Sequence, residues 1–441
     1  MNTASVADTL RIGALVLGPT VARGVLARRP RVVRLAEAAD ADRRAGRLLQ
    51  RMRAKYGPGP LMLRFPVRRL ALVLSSDDVG RVLAGSPEPF ALASLEKRKA
   101  LGRFQPHGVL ISTGADRAER RAFNEAVLDT AQPVHRYGET ICVKVREEAE
   151  LLREQIGRTG ELDWDRFRVA WWRVIRRVVL GDAARDDHEI SDLLTTLRMN
   201  ANWSYARPPR RRVRRRFAER LRHYLEEAEP GSLAELVART PRSDRTEPAD
   251  QVPQWLFAFE PAGMAAYRAL ALLATHPEQA RRAREEVDGR DLERPQELPF
   301  LRACVQESVR LWPTTMAVLR DTTTETVWDG TRMPAGTGLL IHTPFLQRDE
   351  ETLPYADTFA PWIWLDGTAQ ESWSDIPFSG GPGECPGRNL VLLTTSCFLA
   401  MLIQRHDFRL VSGQPLTYAR PLPRTLEPFG LRLRARPRAA S

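Results

Sequence analysis

Apolar residues recur at spacings of three and four in six segments of the chain, which is the pattern of helices with one buried face. These segments are residues 165–180, 193–202, 211–228, 254–275, 279–287 and 300–311. Shorter runs favour strands: 61–65 and 69–74 flank Pro66 and Val67 and predict a hairpin, and extended pieces follow at 317–320, 326–328 and 338–341. The pattern predicts a mainly α-helical fold with small β-sheets.

The rest of the chain is organised around this helical part without a visible boundary. Pro and Gly interrupt an irregular stretch at 344–386, and a last helix is predicted at 389–406. A length of 441 residues would suggest about three domains of roughly 150 residues each, yet no repeat or linker divides the chain. We therefore expect a helical extension over residues 1–55 and a single domain over 56–441.

The N-terminal residues 10–26 lean apolar, but Arg11, Pro19 and Arg23 interrupt them. The run stays short of the roughly 20 residues that a spanning helix needs, so no transmembrane segment is expected. The four cysteines lack the spacing of a zinc site and the density of a disulfide scaffold. This usage favours a reducing compartment, and we predict a soluble cytoplasmic monomer.

The net charge of +12 at pH 7 comes largely from arginine. It is compatible with an acidic partner protein, an anionic substrate or a solvated basic surface. No homeodomain, zinc-finger or RNA-recognition signature accompanies the charge. Nucleic acid is therefore not predicted as a partner.

Cys385 lies in a glycine-rich loop, residues 378–387, that leads into the last predicted helix. The positive end of a helix dipole and inward-facing backbone N–H groups favour a thiolate there, and a thiolate binds metal. Glycines at this place let the backbone pass close to a flat cofactor. Taken alone, the segment also fits a glycine-rich loop with an incidental buried cysteine.

The loop resembles the F-x-x-G-x-R-x-C-x-G loop of cytochromes P450, with matches at Phe378, Gly381, Cys385 and Gly387. The resemblance implies a cytochrome P450 fold with haem b (iron protoporphyrin IX), held between a long helix and the loop. Cys385 is then the axial ligand of the haem iron, and the other three residues are cofactor-binding. One position departs, because Gly383 stands where the family has an Arg or His that reaches a haem propionate.

Two further motifs resemble the family. Glu307 and Arg310 form an E-x-x-R about 75 residues before the cysteine loop, as in the family's K helix, and are expected to form a structural ion pair. The segment 359–364 resembles the meander motif F-x-P-x-R-W, but Ile363 occupies the arginine position. Either Arg348 substitutes for that arginine, or packing by the tryptophans 362 and 364 stabilises the turn.

The start of the family's C helix is similar to residues 112–121, where Arg117 and Arg121 fall at propionate-binding positions. Arg320, in a predicted strand, matches another such position. Each arginine alone also fits a solvated basic face. Together, the three would offset the contact missing at Gly383.

The apolar segment 255–275, which ends before His276 and Pro277, resembles the family's I helix. The resemblance implies that Glu260 is a catalytic acid, while Pro261 occupies the usual threonine position. In the family the acid and the alcohol deliver protons during dioxygen activation, and proline has no hydroxyl group. Glu260 also fits a carboxylate that pairs with an arginine, and Pro261 also fits a kink without a catalytic role. In a second registration, the motif would start at residues 262–264.

The resemblance implies that substrate-facing residues come from the loop 90–110, the helices at 193–222, the I-like helix and the segment after the K-like helix. The predicted pocket residues are Phe257, Phe259, Thr314, Thr315, Met316 and Ala317. The basic run 207–216 lies where the family has its mobile lid, and fits either a recruiting surface or a solvated helix start. A basic surface near the haem would suit an acidic ferredoxin.

The function implied is that of a monooxygenase that oxidises a small organic substrate with dioxygen. A ferredoxin and a ferredoxin reductase are the expected partners, because no flavin or iron–sulfur motif is present in the chain. Pro261 motivates an alternative, a peroxide-using or non-hydroxylating haem-thiolate enzyme. The altered positions 261, 363 and 383 motivate a third, a haem- or ligand-binding protein without oxygenase activity.

Overall fold

The computed structural model describes residues 1–438 and is mainly helical, which confirms the predicted fold class. The helices are α1 (Val6–Ile12), α2 (Gly18–Ala22), α3 (Pro30–Ala38), α4 (Ala41–Tyr56), α5 (Ser76–Ala84), α6 (Leu95–Leu101), α7 (Gly114–Leu128), α8 (Gly138–Thr159), α9 (Trp164–Leu180), α10 (His188–Ala201), α11 (Arg211–Glu227), α12 (Leu233–Arg239), α13 (Val252–Leu273), α14 (Pro277–Val287), α15 (Pro299–Leu311), α16 (Thr343–Leu346) and α17 (Arg388–Arg405). Short 3₁₀ turns and one π-helical turn, Gly13–Leu17, connect some of them.

The strands are β1 (Asn2–Thr3), β2 (Leu61–Leu63), β3 (Leu70–Val73), β4 (Phe90–Ala91), β5 (Glu161–Asp163), β6 (Ala317–Thr322), β7 (Thr326–Trp328), β8 (Thr331–Met333), β9 (Gly338–His342), β10 (His406–Leu410) and β11 (Arg432–Pro437). The largest sheet has the order β1-β2-β3-β9-β6-β4. Strands β2 and β3 form the predicted antiparallel hairpin, with Leu61 opposite Leu72. Smaller sheets are β10-β11-β5 and β7-β8.

Helix α13 lies in the middle of the molecule and packs against α9, α15 and α17. It is long and apolar enough to span a membrane, but 78% of its most apolar window is buried inside the fold. Burial of most of the helix explains why its sequence is apolar almost throughout. Helix α13 also continues through Pro261, which removes one backbone hydrogen bond without ending the helix.

Residues 1–56 are mostly helical, apart from the N-terminal strand and the connections at 23–29 and 39–40. Strand β1 pairs in parallel with β2, with Asn2 opposite Leu61, so the first residues extend the main sheet. Apolar residues of this segment, among them Ile12, Val16 and Leu49, share one core cluster with that sheet. The predicted N-terminal extension is therefore packed on the rest of the chain.

Candidate functional site

The loop that carries Cys385 is fixed at both ends. The Cys385 N–H donates to the carbonyl of Phe378 over 3.0 Å, and helix α17 begins three residues later. The Thr130 hydroxyl donates to the carbonyl of Pro386 over 2.7 Å. Gly381 has φ +60°, and a Cβ there would lie 2.4 Å from the Leu83 carbonyl oxygen. Only glycine fits that position without moving backbone.

The Cys385 thiol is half-buried at the start of α17. Burial raises the pKa of Cys385, and the Gly387 N–H opposes this by favouring the thiolate. The helix dipole acts in the same direction as that N–H. Gly387 has room for a Cβ, since the nearest other atom would be 3.8 Å away. Contacts within the polypeptide therefore do not require a glycine at this position.

The three arginines predicted to bind propionates converge on this loop from two separate elements. Arg117 Nη2 donates to the Pro382 carbonyl over 3.2 Å, and Arg121 Nη1 donates to the Glu384 carbonyl over 2.6 Å. Arg320, on β6, donates to the Ser86 hydroxyl. A Cβ at Gly383 would lie only 2.7 Å from Arg320 Nη2. Arg320 thus packs against Gly383, the position at which the loop departs from the family motif.

Arg117 and Arg320 are buried, and no carboxylate within residues 1–438 lies within 4.0 Å of either guanidinium. Burial, followed by the charge of Arg117, lowers the pKa of Arg320 to about 10. Burial and then Arg121 lower the pKa of Arg117, whose Nε has no hydrogen-bond partner. Buried like charges without counterions are costly. The two propionates of haem b are the kind of counterion that fits them.

Lys97, on α6, is a further cation at this place, and the sequence analysis did not identify it. Its Nζ donates to the carbonyls of Leu92 and Leu319 over 3.0 and 3.1 Å. Burial, and then the charge of Arg320, lower the pKa of Lys97 well below its usual range. In the sequence it stands within the charged run 96–99, from which no signal separates it.

Helix α13 presents a half-buried stripe formed by Gln254, Phe257, Ala258 and Pro261, spaced as neighbours on one helix face. The ring of Phe257 lies 6.5 Å from that of Phe104, edge to face. The Gln254 side chain accepts a hydrogen bond from Gln105 over 2.7 Å. The stripe therefore faces the loop 90–110, which the resemblance assigned to the substrate side.

Phe259 lies on another face of α13 and does not belong to this stripe. Its ring packs 6.4 Å from Trp171 of α9, and its carbonyl accepts the Trp171 indole N–H over 2.7 Å. A Cβ at Gly263 would lie 2.4 Å from Trp171 Cδ1. The prediction that Phe259 lines the pocket is therefore wrong, because its side chain belongs to the core. Gly263 is required by its packing against Trp171, and this argues against the second registration of the motif.

Glu260 forms an ion pair with Arg198 of α10. The same guanidinium lies over the Phe257 ring, 4.4 Å from its centroid, and its Nε donates to the Leu26 carbonyl over 3.0 Å. Glu260 therefore ties α13 to α10 and the N-terminal segment. This is the arginine-paired arrangement that the sequence left open beside the catalytic one.

Glu307 and Arg310 form a fully buried bidentate pair, with distances of 2.8 and 2.6 Å. Arg310 also donates to four backbone carbonyls, at residues 347, 355, 356 and 358. Glu307 accepts two more hydrogen bonds, from the Ala360 N–H over 2.9 Å and from the Trp364 indole N–H over 3.0 Å. The pair therefore anchors the meander segment to α15.

The place of the missing meander arginine is thus taken by the indole N–H of Trp364. Arg348 does not reach Glu307, because it pairs with Asp357 over 2.7 Å and donates to the Leu311 carbonyl. Ile363 is fully buried. Of the two arrangements left open by the sequence, the tryptophan is the one that contacts the pair, and it does so by a hydrogen bond.

The four residues predicted after the K-like helix have different surroundings. Thr314 and Met316 line a cavity together with Met264 of α13. Thr315 is exposed, and its carbonyl accepts from the Thr343 hydroxyl. Ala317 packs against the core cluster of the N-terminal segment. Two of the four therefore border a cavity.

Comparison with known proteins adds independent information. A sequence model of the family described as Cytochrome P450 matches residues 258–426. Cyclooctat-9-en-7-ol 5-monooxygenase of Streptomyces melanosporofaciens is 33% identical over 172 residues, which is 36% of this chain and 38% of that protein. Cytochrome P450 85A1 of Solanum lycopersicum is 32% identical over 135 residues, 31% of this chain and 28% of that protein.

These alignments thus span about a third of the length of the curated relatives, and the match to the family model includes the cysteine loop. The structural likeness extends much further. Retinoic acid-bound cyanobacterial CYP120A1 superimposes with a TM-score of 0.71 at 20% identity, covering 88% of this chain and 94% of that one. At this identity the likeness shows the fold.

Proposed function

Because this chain belongs to the cytochrome P450 family, we propose that it is a haem-thiolate monooxygenase that oxidises a small organic molecule with dioxygen. A ferredoxin and its reductase supply the electrons in this proposal. The observation that carries it is the convergence of Arg117, Arg121 and Arg320 on the loop of Cys385. The buried guanidinium groups of Arg117 and Arg320, which no carboxylate of residues 1–438 contacts, match the needs of haem b beside a thiolate. Arg121 also pairs with Glu125 over 2.6 Å.

In this proposal Cys385 ligates the haem iron, while Arg117, Arg121 and Arg320 neutralise the propionates. Phe378, Gly381 and Gly387 shape the loop around the cofactor. Haem b, when bound, supplies the redox chemistry, which the electron density of the thiolate supports. The stripe of α13 that contains Phe257 would face the substrate and exclude water from it.

Proton delivery to dioxygen has few candidate side chains in this chain. Pro261 has neither a hydroxyl nor an N–H, so it neither holds nor passes a proton. Glu260 can serve as the acid when its ion pair with Arg198 opens toward the stripe. We propose that route for the dioxygen reaction, with water between Glu260 and the substrate side.

A second candidate function is that of a peroxide-using or non-hydroxylating haem-thiolate enzyme. The combination of Pro261 with a Glu260 already held by Arg198 favours it, because hydrogen peroxide brings its own protons. A third candidate is a haem- or ligand-binding protein without oxygenase activity, suggested by the altered positions 261, 363 and 383. All three share the thiolate ligand.

For the cellular setting we propose a soluble, monomeric protein of the cytoplasm. The support is that the apolar helix α13 is mostly buried in the fold. Arg388, at the start of α17 beside the loop of Cys385, suits an acidic ferredoxin by charge complementarity, in competition with its present partner Glu384. Salt should then slow the reduction of the protein by ferredoxin.

The reduced, carbon monoxide-bound spectrum tests the thiolate assignment. We expect a strongly red-shifted Soret band in the purified haem-loaded protein and in the control Cys304→Ala, which alters a buried cysteine of α15. Cys385→Ala should lose the band. Its persistence in Cys385→Ala would refute the ligand.

Product formation separates the candidate functions. The protein is incubated with a substrate panel and either dioxygen, ferredoxin and reductase, or hydrogen peroxide alone. Turnover with the ferredoxin system supports the leading proposal. Turnover with peroxide alone supports the second candidate, and a normal spectrum without turnover in either system supports the third.

A further inference from the structure

A second cluster of arginines lies around the cavity bordered by Thr314 and Met316. Its wall includes Met264 and Arg268 of α13, with Arg28 from the N-terminal segment. Trp312, Leu426 and Phe429 supply much of the apolar surface. The cavity thus combines apolar walls with guanidinium groups, which is the lining expected for an amphiphilic ligand.

Arg268 is 92% buried, since its exposed fraction is 8%. Its Nη1 and Nη2 donate to the carbonyls of Trp312 and Leu426 over 3.1 and 2.8 Å, and its Nε has no hydrogen-bond partner among the described residues. Burial, and then the charge of Arg28, lower the pKa of Arg268 to about 9. A charged donor held in this way is costly unless an anion joins it.

Arg28 lies close to it and has similar surroundings. Its Nη1 donates to the Gly24 carbonyl over 3.0 Å and its Nη2 to the Thr314 carbonyl over 2.6 Å. Burial, and then the charge of Arg23, lower the pKa of Arg28 to about 10. Both guanidinium groups are therefore bound by neutral carbonyls.

The other charges around the cavity are matched. Arg23 forms a bidentate pair with Asp42, with both distances 2.7 Å. Arg424, also in the wall, pairs with Asp357 over 3.2 Å. Within residues 1–438 no carboxylate lies within 4.0 Å of Arg28 or Arg268. Glu37 and Glu427 act on the charge of Arg268 from beyond that distance. Arg268 and the half-buried Arg28 are thus two positive charges that no carboxylate of residues 1–438 contacts directly.

The position of Arg268 on α13 relates this cavity to the proposed reaction site. Phe257, Pro261, Met264 and Arg268 follow one another at spacings of four, three and four, and so lie along one helix face. Seven residues separate Pro261 from Arg268, which corresponds to about 10 Å along a helix axis. A ligand held at Arg268 could therefore extend its apolar part along α13 toward Pro261.

We propose that the substrate is an organic acid, whose carboxylate binds between Arg28 and Arg268 while its hydrocarbon part lies along α13. The proposal rests on the proposed function and assigns it a substrate class. A carboxylate can accept from both guanidinium groups at once, and the free Nε of Arg268 supplies one donor. The apolar residues of the wall bury the remainder of the molecule.

Titration calorimetry on the haem-loaded protein tests the proposal without requiring turnover. The probes are dodecanoate and naphthaleneacetate, each compared with its own primary amide. We expect each acid to bind more tightly than its amide, by on the order of tenfold to a hundredfold, as for a hydrogen bond to a charged group. Equal affinities, or no binding of either acid, would overturn the proposal.

Variants assign the preference to these residues. Arg268→Met and Arg28→Met should each reduce the preference for the acid by about tenfold or more, whereas Arg268→Lys should retain part of it. Arg212→Met makes the same change on the exposed surface of α11 and should leave the preference intact. Arg28 is only half-buried, so its variant remains informative if Arg268→Met does not fold. An unchanged preference in Arg28→Met would refute the assignment.

The carbon monoxide spectrum distinguishes failure of the proposed substrate class from failure of the haem-thiolate assignment. A normal red-shifted band without a preference for acids would overturn the substrate class alone. A preference for acids in a protein that lacks the band would overturn the haem-thiolate assignment and leave the anion site standing.

Discussion

Trp364→Phe is a direct test of how this chain stabilises its buried ion pair without the family's meander arginine. The indole N–H of Trp364 donates to Glu307 over 3.0 Å, and Glu307 is fully buried. Phenylalanine retains most of the apolar contact but removes this donor. Because water does not reach the carboxylate, nothing replaces the lost hydrogen bond.

A hydrogen bond to a buried charged group is worth about 1.5 to 3 kcal/mol. We therefore expect Trp364→Phe to lower the free energy of unfolding by about that amount. Trp362→Phe is the matched control two residues away, because Trp362 is 43% exposed. For that variant we expect a change of about 0.5 kcal/mol or less.

Urea unfolding followed by far-ultraviolet circular dichroism measures both variants, since this signal does not depend on tryptophan fluorescence. The transition midpoint should fall in Trp364→Phe at an unchanged slope. In a Glu307→Gln background the same substitution should cost less, which a double-mutant cycle reports as coupling. Equal midpoints for the two tryptophan variants would refute the reasoning.

Three further outcomes follow from the structure. Gly263→Ala should destabilise the protein by about 1 to 3 kcal/mol in the same urea assay, because its Cβ would lie 2.4 Å from Trp171. Arg320→Met should release haem to an acceptor apoprotein about tenfold faster than Arg212→Met, if Arg320 binds a propionate. Burial raises the pKa of Asp375 to about 6, so its contribution to stability is full below about pH 4 and declines by roughly 3 kcal/mol as the pH rises through 6. Asp375→Asn should abolish that decline in unfolding midpoints measured across the range.

Helices with a clear apolar stripe were predictable, but some helices lack such a stripe. The segment of α13 was predicted at 254–275 and observed at Val252–Leu273. Helix α8 was missed, although it has 22 residues. Its Glu148 is 1% exposed and accepts from Arg177 and Arg185. In α8 this buried charge lies among the apolar positions and interrupts their pattern, because its arginine partners come from another part of the chain.

For the site, local motifs indicated which residues matter but not which way they face. The resemblance selected Arg117, Arg121 and Arg320, which the fold brings to one loop. It also selected Phe259, which packs against Trp171. The phase of a helix that is apolar on all sides cannot be derived from its own sequence, because it depends on which neighbours supply the large side chains.

Arg268 was visible in the sequence as a charged residue in an apolar helix, but the motif comparison did not identify it. Helix α13 contains two charged residues, Glu260 and Arg268, among otherwise apolar or neutral ones. A charge in an apolar helix needs a partner, and Glu260 has Arg198. Arg268 donates to two carbonyls, and no carboxylate of residues 1–438 contacts its guanidinium, so an anion can still bind there. A substrate that supplies the anion would bind more tightly as an acid than as an amide, which the calorimetry measures.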